Sequence, residues 1–210
     1  MSLSSQILRA RATHHSPDQA VDHAQRLAVI ALIFWEDEDG LSVCLGRRAI
    51  NPLDPWSGDM AFPGGRAETI DRNLHDVAAR ETKEEVGLIL PRESLLGRMD
   101  KMEATGSSTR PLTTVWPLVY LLESAPEPFR LNEEMSDAMW VPTAHLWNPK
   151  NWMAFSFPPT QAQRSGISIG NHFLWGFSLK VLVTLSEQIG KPISDIAQLE
   201  SVLHSDHLSF

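Results

Sequence analysis

Apolar positions in this chain gather into short runs separated by sharp punctuation. Residues 27–35, LAVIALIFW, are continuously apolar and read as a buried strand. Asp37-Glu38-Asp39-Gly40 turns the chain, and residues 41–47 return as a second strand. A terminal Asp-Gly between two such runs signals a hairpin. The acidic turn lacks the alternating oxygen ligands and closing Glu of a calcium loop. Residues 50–57, INPLDPWS, are proline-bearing loop, followed by a short strand at 60–62 and a turn at Gly64-Gly65. Residues 73–86 predict the first long helix, with Asp71 or Asn73 to cap its start and Gly87 to close it. Residues 95–104 and 113–122 read as strands, and 137–141 as a short strand leading through Pro142 into a brief helix. Residues 148–171 are loop-rich, with 155–157 and 167–169 as hairpin arms, and 173–187 and 193–203 predict two terminal helices. Strands interspersed with a few helices predict an α+β domain, a mixed sheet covered by helices.

No linker divides the 210 residues, so a lead-in over 1–24, helical or frayed, is expected to precede a single domain over 25–210. The net charge of −8 argues against general nucleic-acid binding, which needs Lys and Arg to neutralise phosphates. A small anionic substrate stays open, because a divalent metal can supply positive charge. Cys44 is the only cysteine, which rules out an intrachain disulfide and makes a cytoplasmic address the expectation. Its strand-like surroundings make it a small buried residue. The longest apolar run is too short to span a bilayer, so no membrane partner is expected. His14-His15 has no ligating partner nearby in sequence, and the oligomeric state is open.

The run ARETKEEVGL at 79–88 crowds three glutamates into five positions. At about 100° per residue, Glu81 and Glu85 lie about 40° apart and Glu84 about 60° to the other side of Glu81, so all three carboxylates fan from one face. Ala79, Thr82 and Val86 fall on another side, with His75 among them as a structural residue. Like charges at this spacing weaken an isolated helix by a few tenths of a kcal/mol per pair. Hard divalent cations such as Mg2+ take oxygen ligands, and such a fan can hold them. Gly64-Gly65, entered through the stiff Pro63, permits close approach of a bare backbone carbonyl. Loop carbonyl and helix carboxylates together make a metal cradle, beside which phosphates would sit.

The run GGRAETIDRNLHDVAARETKEEVGL closely resembles the Nudix box: Gly65, Arg80, Glu81, Glu84, Glu85, Gly87 and Leu88 match. Asp71 stands where the family has Glu, Thr82 replaces an aliphatic residue, and eight rather than seven residues separate Asp71 from Arg80. Further segments resemble the coenzyme A pyrophosphatase branch: Arg47-Arg48 and Gly58 before Phe62-Pro63-Gly64-Gly65, Asn132-Glu133-Glu134, Trp140-Val141-Pro142, and residues 172–177, HFLWGF. The branch's Gly-Gln appears here as Gly58-Asp59, an acid that sits poorly beside phosphates unless metal-bound or turned away.

The resemblance implies an α/β/α sandwich that hydrolyses a nucleoside diphosphate derivative with Mg2+ or Mn2+. Coenzyme A or an acyl-CoA is the first choice, giving adenosine 3',5'-bisphosphate and a phosphopantetheine. ADP-ribose, NADH and dinucleoside polyphosphates are the alternatives, and a non-catalytic nucleotide-sensing module is the alternative of another class. It further implies Glu81 and Glu85 as principal metal ligands, Glu84 as a further or water-mediated one, and the Gly64 carbonyl as backbone ligand. Arg80 either orients a glutamate through a bidentate pair or makes a structural salt bridge, and Asp71 braces the loop. Glu133 and Glu134 are candidate bases or ordinary loop acids, with Glu81 or Glu85 as alternatives for the same task. Arg66, Arg47 and Arg48 are candidate anion contacts, Arg66 foremost. Trp56, Phe62 and Trp175 either stack a base or belong to the core.

Overall fold

The computed structural model describes residues 3–11, 19–52, 54, 56–104, 113–157 and 162–191. Its central strand, β1 (Leu27–Asp37), sends Val29, Ala31 and Ile33 into one apolar cluster and Leu32 and Phe34 into another. A strand covered on both faces needs no polar side, which explains its unbroken apolar run. It makes a hairpin with antiparallel β2 (Gly40–Arg48). Asp37 Oδ1 accepts the amides of Asp39 at 2.9 Å and Gly40 at 3.1 Å, so the acidic turn is a hairpin corner. On the other side β1 runs parallel to β7 (Thr113–Leu122).

Along the edge facing β2, β1 changes partner. Phe34 to Asp37 pair with β2, whereas Ala28 to Ile30 pair with β4 (Gly64–Arg66). Past this fork β2 pairs with β3 (Met60–Ala61), and along its other edge with β8 (Met135–Pro142). The Gly64-Gly65 pair is therefore a strand, not the expected turn. A Cβ on Gly64 would collide with the Val29 carbonyl, and its φ of 153° suits glycine. Two residues without side chains let this segment lie flat against β1.

Residues 95–104 form two strands, β5 (Leu95–Arg98) and β6 (Met102–Ala104), not one. Both pair with β7, and the break falls opposite Pro117, which has no N–H to give the ladder. Met99 donates instead to the Pro117 carbonyl at 2.9 Å.

Helix α2 (Leu74–Val86) covers one sheet face with Leu74, Val77, Ala78 and Val86, packed near Cys44 and Tyr120. The other face is covered by α1 (Leu3–Arg11), through Leu8, by α3 (Thr143–Leu146), through Leu146, and by α4 (Gly176–Gln188). This α+β sandwich carries on that side a separate three-stranded sheet, β9 (Trp152–Phe157), β10 (Ala162–Ile169) and β11 (His172–Leu174). Residues 155–157 pair with 162–164, so the hairpin arms lie in a different register from that expected. Strand β11 takes up residues assigned to the start of the terminal helix, because pairing with β10 holds them extended. The second terminal helix, at 193–203, and His14-His15 lie outside the described residues. Among the described residues no helix is long and apolar enough to cross a membrane.

Candidate active site

Helix α2 is fixed at both ends by the residues that its sequence supplies. Asn73, not Asp71, is the N-cap, its Oδ1 accepting the Asp76 amide at 3.0 Å. Gly87 closes the helix at φ 77°, where a Cβ would meet Arg130 at 2.7 Å. The following loop docks there: Arg130 N–H donates to the Val86 carbonyl at 2.9 Å and Asn132 N–H to the Glu85 carbonyl at 3.3 Å. Otherwise open helix carbonyls are thereby satisfied, and residues 130–134 are held beside the glutamates. On the packed face, the His75 Nδ1 lies 3.0 Å from the Tyr120 hydroxyl, and burial lowers the imidazole pKa. It is a neutral structural residue, as expected. Cys44 is fully buried, and burial, with the Glu85 charge nearby, pushes its thiol up, leaving it inert.

The carboxylates differ in environment. Glu85 is 5% exposed; its Oε2 accepts the Gly64 amide at 2.9 Å and its Oε1 lies 4.0 Å from Arg48 Nη1. Burial pushes its carboxyl up to about 7; the Glu81 and Glu134 charges act in the same direction, the Gly64 amide and Arg48 against it. Glu81 is also raised, chiefly by burial and then by Glu84 and Glu134, with Arg80 opposing. Glu84 is half exposed and lies 3.2 Å from Arg80 Nη1. The Glu134 charge thus adds to the rise at both Glu81 and Glu85.

Arg80 does not pair bidentately with a glutamate. Its fork closes on Asp71, with Nε at 3.2 Å from Oδ1 and Nη2 at 2.9 Å from Oδ2. Nη1 makes single bonds to Glu81 Oε1 at 2.9 Å and to Glu84, and Nη2 also reaches the Arg66 carbonyl. Asp71 is 3% exposed and accepts the Glu68 amide at 2.8 Å, so it braces the loop before the helix. The planar guanidinium matches a carboxylate with two parallel bonds, and Asp71 is the one aligned to take both.

The remaining candidates separate clearly. Arg48 is held by Asp54, Nε to Oδ2 at 2.7 Å, and its charge faces carboxylates. Arg47 is part-buried, and its Nε has no hydrogen-bond partner among the described residues. Arg66 is exposed. Phe62 is buried in the core and offers no stacking face. Trp56 is exposed, whereas Trp175 packs edge-on to Phe155 at 6.2 Å and lies under Arg164 at 5.3 Å. Sequence reasoning missed that Trp175 Nε1 donates to Asp59 Oδ1 at 3.1 Å. Burial lifts the Asp59 carboxyl to about 6, the Trp175 bond and Arg48 opposing and Asp54 adding to the rise. The acid at 59 is thus held by Trp175, the residue between β11 and α4. Nothing local to residue 59 signals a partner 116 positions away.

The donor chemistry fits a hard divalent cation. Glu85, buried, and Glu81, part-buried, are carboxylates whose neighbouring negative charges disfavour ionisation, the condition a bound cation relieves. Gly65 makes room for one of them, since a Cβ there would collide with the Glu81 carboxyl group. Among the described residues no three His, Cys, Asp or Glu side chains converge as a ready-made ligand set. The glutamate oxygens are turned instead to Arg80, Arg48 and the Gly64 amide, so binding requires them to rotate. Gly65→Ala is expected to fold, because only the end of a flexible side chain must yield. It is also expected to displace Glu81 and lower metal-dependent turnover by about tenfold or more. A melting curve beside a turnover assay checks both; unchanged turnover would show that Glu81 needs no such room.

A domain-family comparison matches residues 24–163 to the NUDIX domain. The chain belongs to the Nudix family of pyrophosphohydrolases. Among curated Nudix relatives, it is 28% identical over 194 residues to the uncharacterized Nudix hydrolase NudL of Salmonella paratyphi B, covering 88% of this chain and 91% of that one. It is 32% identical over 129 residues to the human mitochondrial coenzyme A diphosphatase NUDT8, covering 58% of this chain and 51% of the relative. It thus spans about half of that relative's length. A MutT/nudix family protein from Enterococcus faecalis shares the fold, with a TM-score of 0.57 at 16% identity over 97% of this chain and 80% of that one. In this Nudix chain Thr82 leaves a buried hydroxyl without a partner among the described residues, at a position where the box has an aliphatic side chain.

Proposed function

We propose that this Nudix chain hydrolyses the diphosphate linkage of a nucleoside diphosphate derivative, with coenzyme A or an acyl-CoA as substrate. The observation that carries the reaction class is the packing of buried Glu85 and part-buried Glu81 against Gly64 and Gly65. The substrate choice rests on the resemblance of residues 47–65 and 172–177 to the coenzyme A branch, supported by the likeness to a protein named as a coenzyme A diphosphatase. A non-catalytic sensing module is disfavoured, because every box glutamate of the metal face is present.

Glu81 and Glu85 are the principal ligands for Mg2+ or Mn2+, with Glu84 and the Gly64 carbonyl completing the set. The bound cation supplies charge stabilisation at the phosphoryl oxygens and a lowered pKa for coordinated water. Arg80, anchored on Asp71, orients Glu81 and Glu84. Glu134 takes the proton of the attacking water, a role supported by its charge bearing on both Glu81 and Glu85. Arg47 offers a cation to the diphosphate from β2. Water's oxygen bonds to phosphorus as the bridging P–O bond breaks, and the leaving phosphate carries the electron pair.

The deciding experiment incubates the protein with Mg2+ or Mn2+ and coenzyme A, ADP-ribose, NADH or a dinucleoside polyphosphate. Coenzyme A is expected to be turned over fastest, with Glu134→Gln lowering kcat by about a hundredfold. Hydrolysis of ADP-ribose but not coenzyme A would end the substrate assignment, and an unaffected Glu134→Gln variant would remove the base.

A further inference from the structure

A cavity of about 250 Å³ opens where β1 and β7 begin and β4 ends, lined by Gln25, Arg26, Leu27, Arg66, Ala67 and Thr113. Its two arginines are set side by side by strand register. Arg66 pairs with Ala28, and Arg26 stands two residues before Ala28 on the same face, its carbonyl turned to the β7 side, where it accepts the Thr114 amide at 3.2 Å. Acidic residues outnumber Lys and Arg by 26 to 18, and Arg9, Arg48, Arg72 and Arg80 are each paired with a carboxylate. Neither Arg26 nor Arg66 has a carboxylate within 4.0 Å among the described residues. Two guanidinium groups left unpaired beside one cavity, in so acidic a chain, form a local reversal of charge.

Their position relative to the box follows from β4. Gly65 directs its missing side chain at Glu81, so alternation along the strand directs Arg66 to the opposite face. The Arg66 carbonyl is tied to Arg80 Nη2 at 2.9 Å, which fixes this backbone against the catalytic edge. Among the described residues β1 is the only strand that pairs with β4, and along the second edge Glu85 takes the Gly64 amide and Arg80 the Arg66 carbonyl. A ligand crossing that edge meets carboxylates on one side and guanidinium groups on the other.

We propose that this cavity is a subsite for a phosphomonoester carried on the substrate's ribose, separate from the diphosphate that is cleaved. Two arginine forks and the Thr113 hydroxyl offer donors to a tetrahedral dianion, which accepts bidentate bonds from each guanidinium, while the Gln25 amide already donates to Asp22 Oδ2 at 2.7 Å. The inference rests on the coenzyme A reading, which requires a 3'-phosphate to be housed.

The test measures kcat/KM for coenzyme A and for 3'-dephospho-coenzyme A, at fixed Mg2+ and ionic strength, in wild type, Arg26→Gln and Arg66→Gln. Wild type is expected to favour coenzyme A, and each substitution to reduce that preference about tenfold, the effect of losing a charge-assisted bond. Preference ratios that agree within about twofold across all three proteins overturn the subsite. Turnover of neither compound overturns the coenzyme A reading alone. Calorimetric titration with adenosine 3',5'-bisphosphate and with AMP then decides: tighter binding of the bisphosphate, erased by Arg26→Gln, supports the subsite, and equal affinities overturn it.

Discussion

Glu85→Gln is expected to lower metal-dependent hydrolysis by at least about a hundredfold, the scale of losing a preorganised electrostatic partner. At pH 8 without metal, the same substitution is expected to raise the melting temperature. Folding takes the Glu85 carboxyl from 4.5 up to about 7, so between those values the folded protein keeps a proton that the unfolded chain has released, and at pH 8 it buries the charge. Below about pH 4.5 both forms are neutral and Glu85 contributes no pH-dependent penalty. Through the window up to about 7, each pH unit weakens the folded state by about 1.4 kcal/mol, and above it the full penalty is roughly 3 kcal/mol. Glutamine keeps an oxygen for the Gly64 amide and carries no charge to bury. Metal-free melting curves at pH 5 and pH 8 should therefore show a decline in wild type that is smaller in the variant. Added Mg2+ should stabilise wild type at pH 8 and leave the variant unmoved. Parallel pH profiles, with equal responses to Mg2+, would remove Glu85 from the metal site.

Removing the charge at Arg80 should be felt most in folding. Arg80→Met leaves Asp71, almost wholly buried, without the guanidinium that takes both its oxygens. Breaking a buried ion pair from one side costs about 3–5 kcal/mol, and in a chain of this size each kcal/mol moves the melting temperature about 2–4 °C. A drop of roughly 10 °C is expected, together with loss of turnover as Glu81 and Glu84 lose their common donor. Adding Asp71→Asn should recover part of the stability but not the activity, because it removes the stranded charge without restoring the glutamates' partner. A single variant that melts within about 2 °C of wild type would show that the pair is not structural.

Features that depend on residues near one another in sequence were readable in advance. The carboxylate fan follows from helical spacing, and Asn73 and Gly87 cap α2 through bonds that span three or four residues. The acidic hairpin closes through Asp37 in the same way. What escaped depends on distant chain. Gly64-Gly65 looks like a turn until β1 is present to pair with it. Arg80 is drawn to Asp71, nine residues back, because the loop doubles over the helix. Arg48, expected to meet substrate, is claimed by Asp54 from a proline-bearing loop whose path no local pattern dictates. Phe62 stands beside the box in sequence yet turns into the opposite apolar layer. The three-stranded sheet was obscured because Phe173 and Leu174 have apolar spacing equally suited to the helix that follows.

The contact between Trp175 and Asp59 crosses a boundary that family comparison draws. Residues 24–163 contain every glutamate of the box, but the indole that holds Asp59 lies twelve positions past their end. The matched segment therefore ends before the residue that holds Asp59. A chain ended at that boundary would keep its signature and lose the anchor for the segment ahead of it.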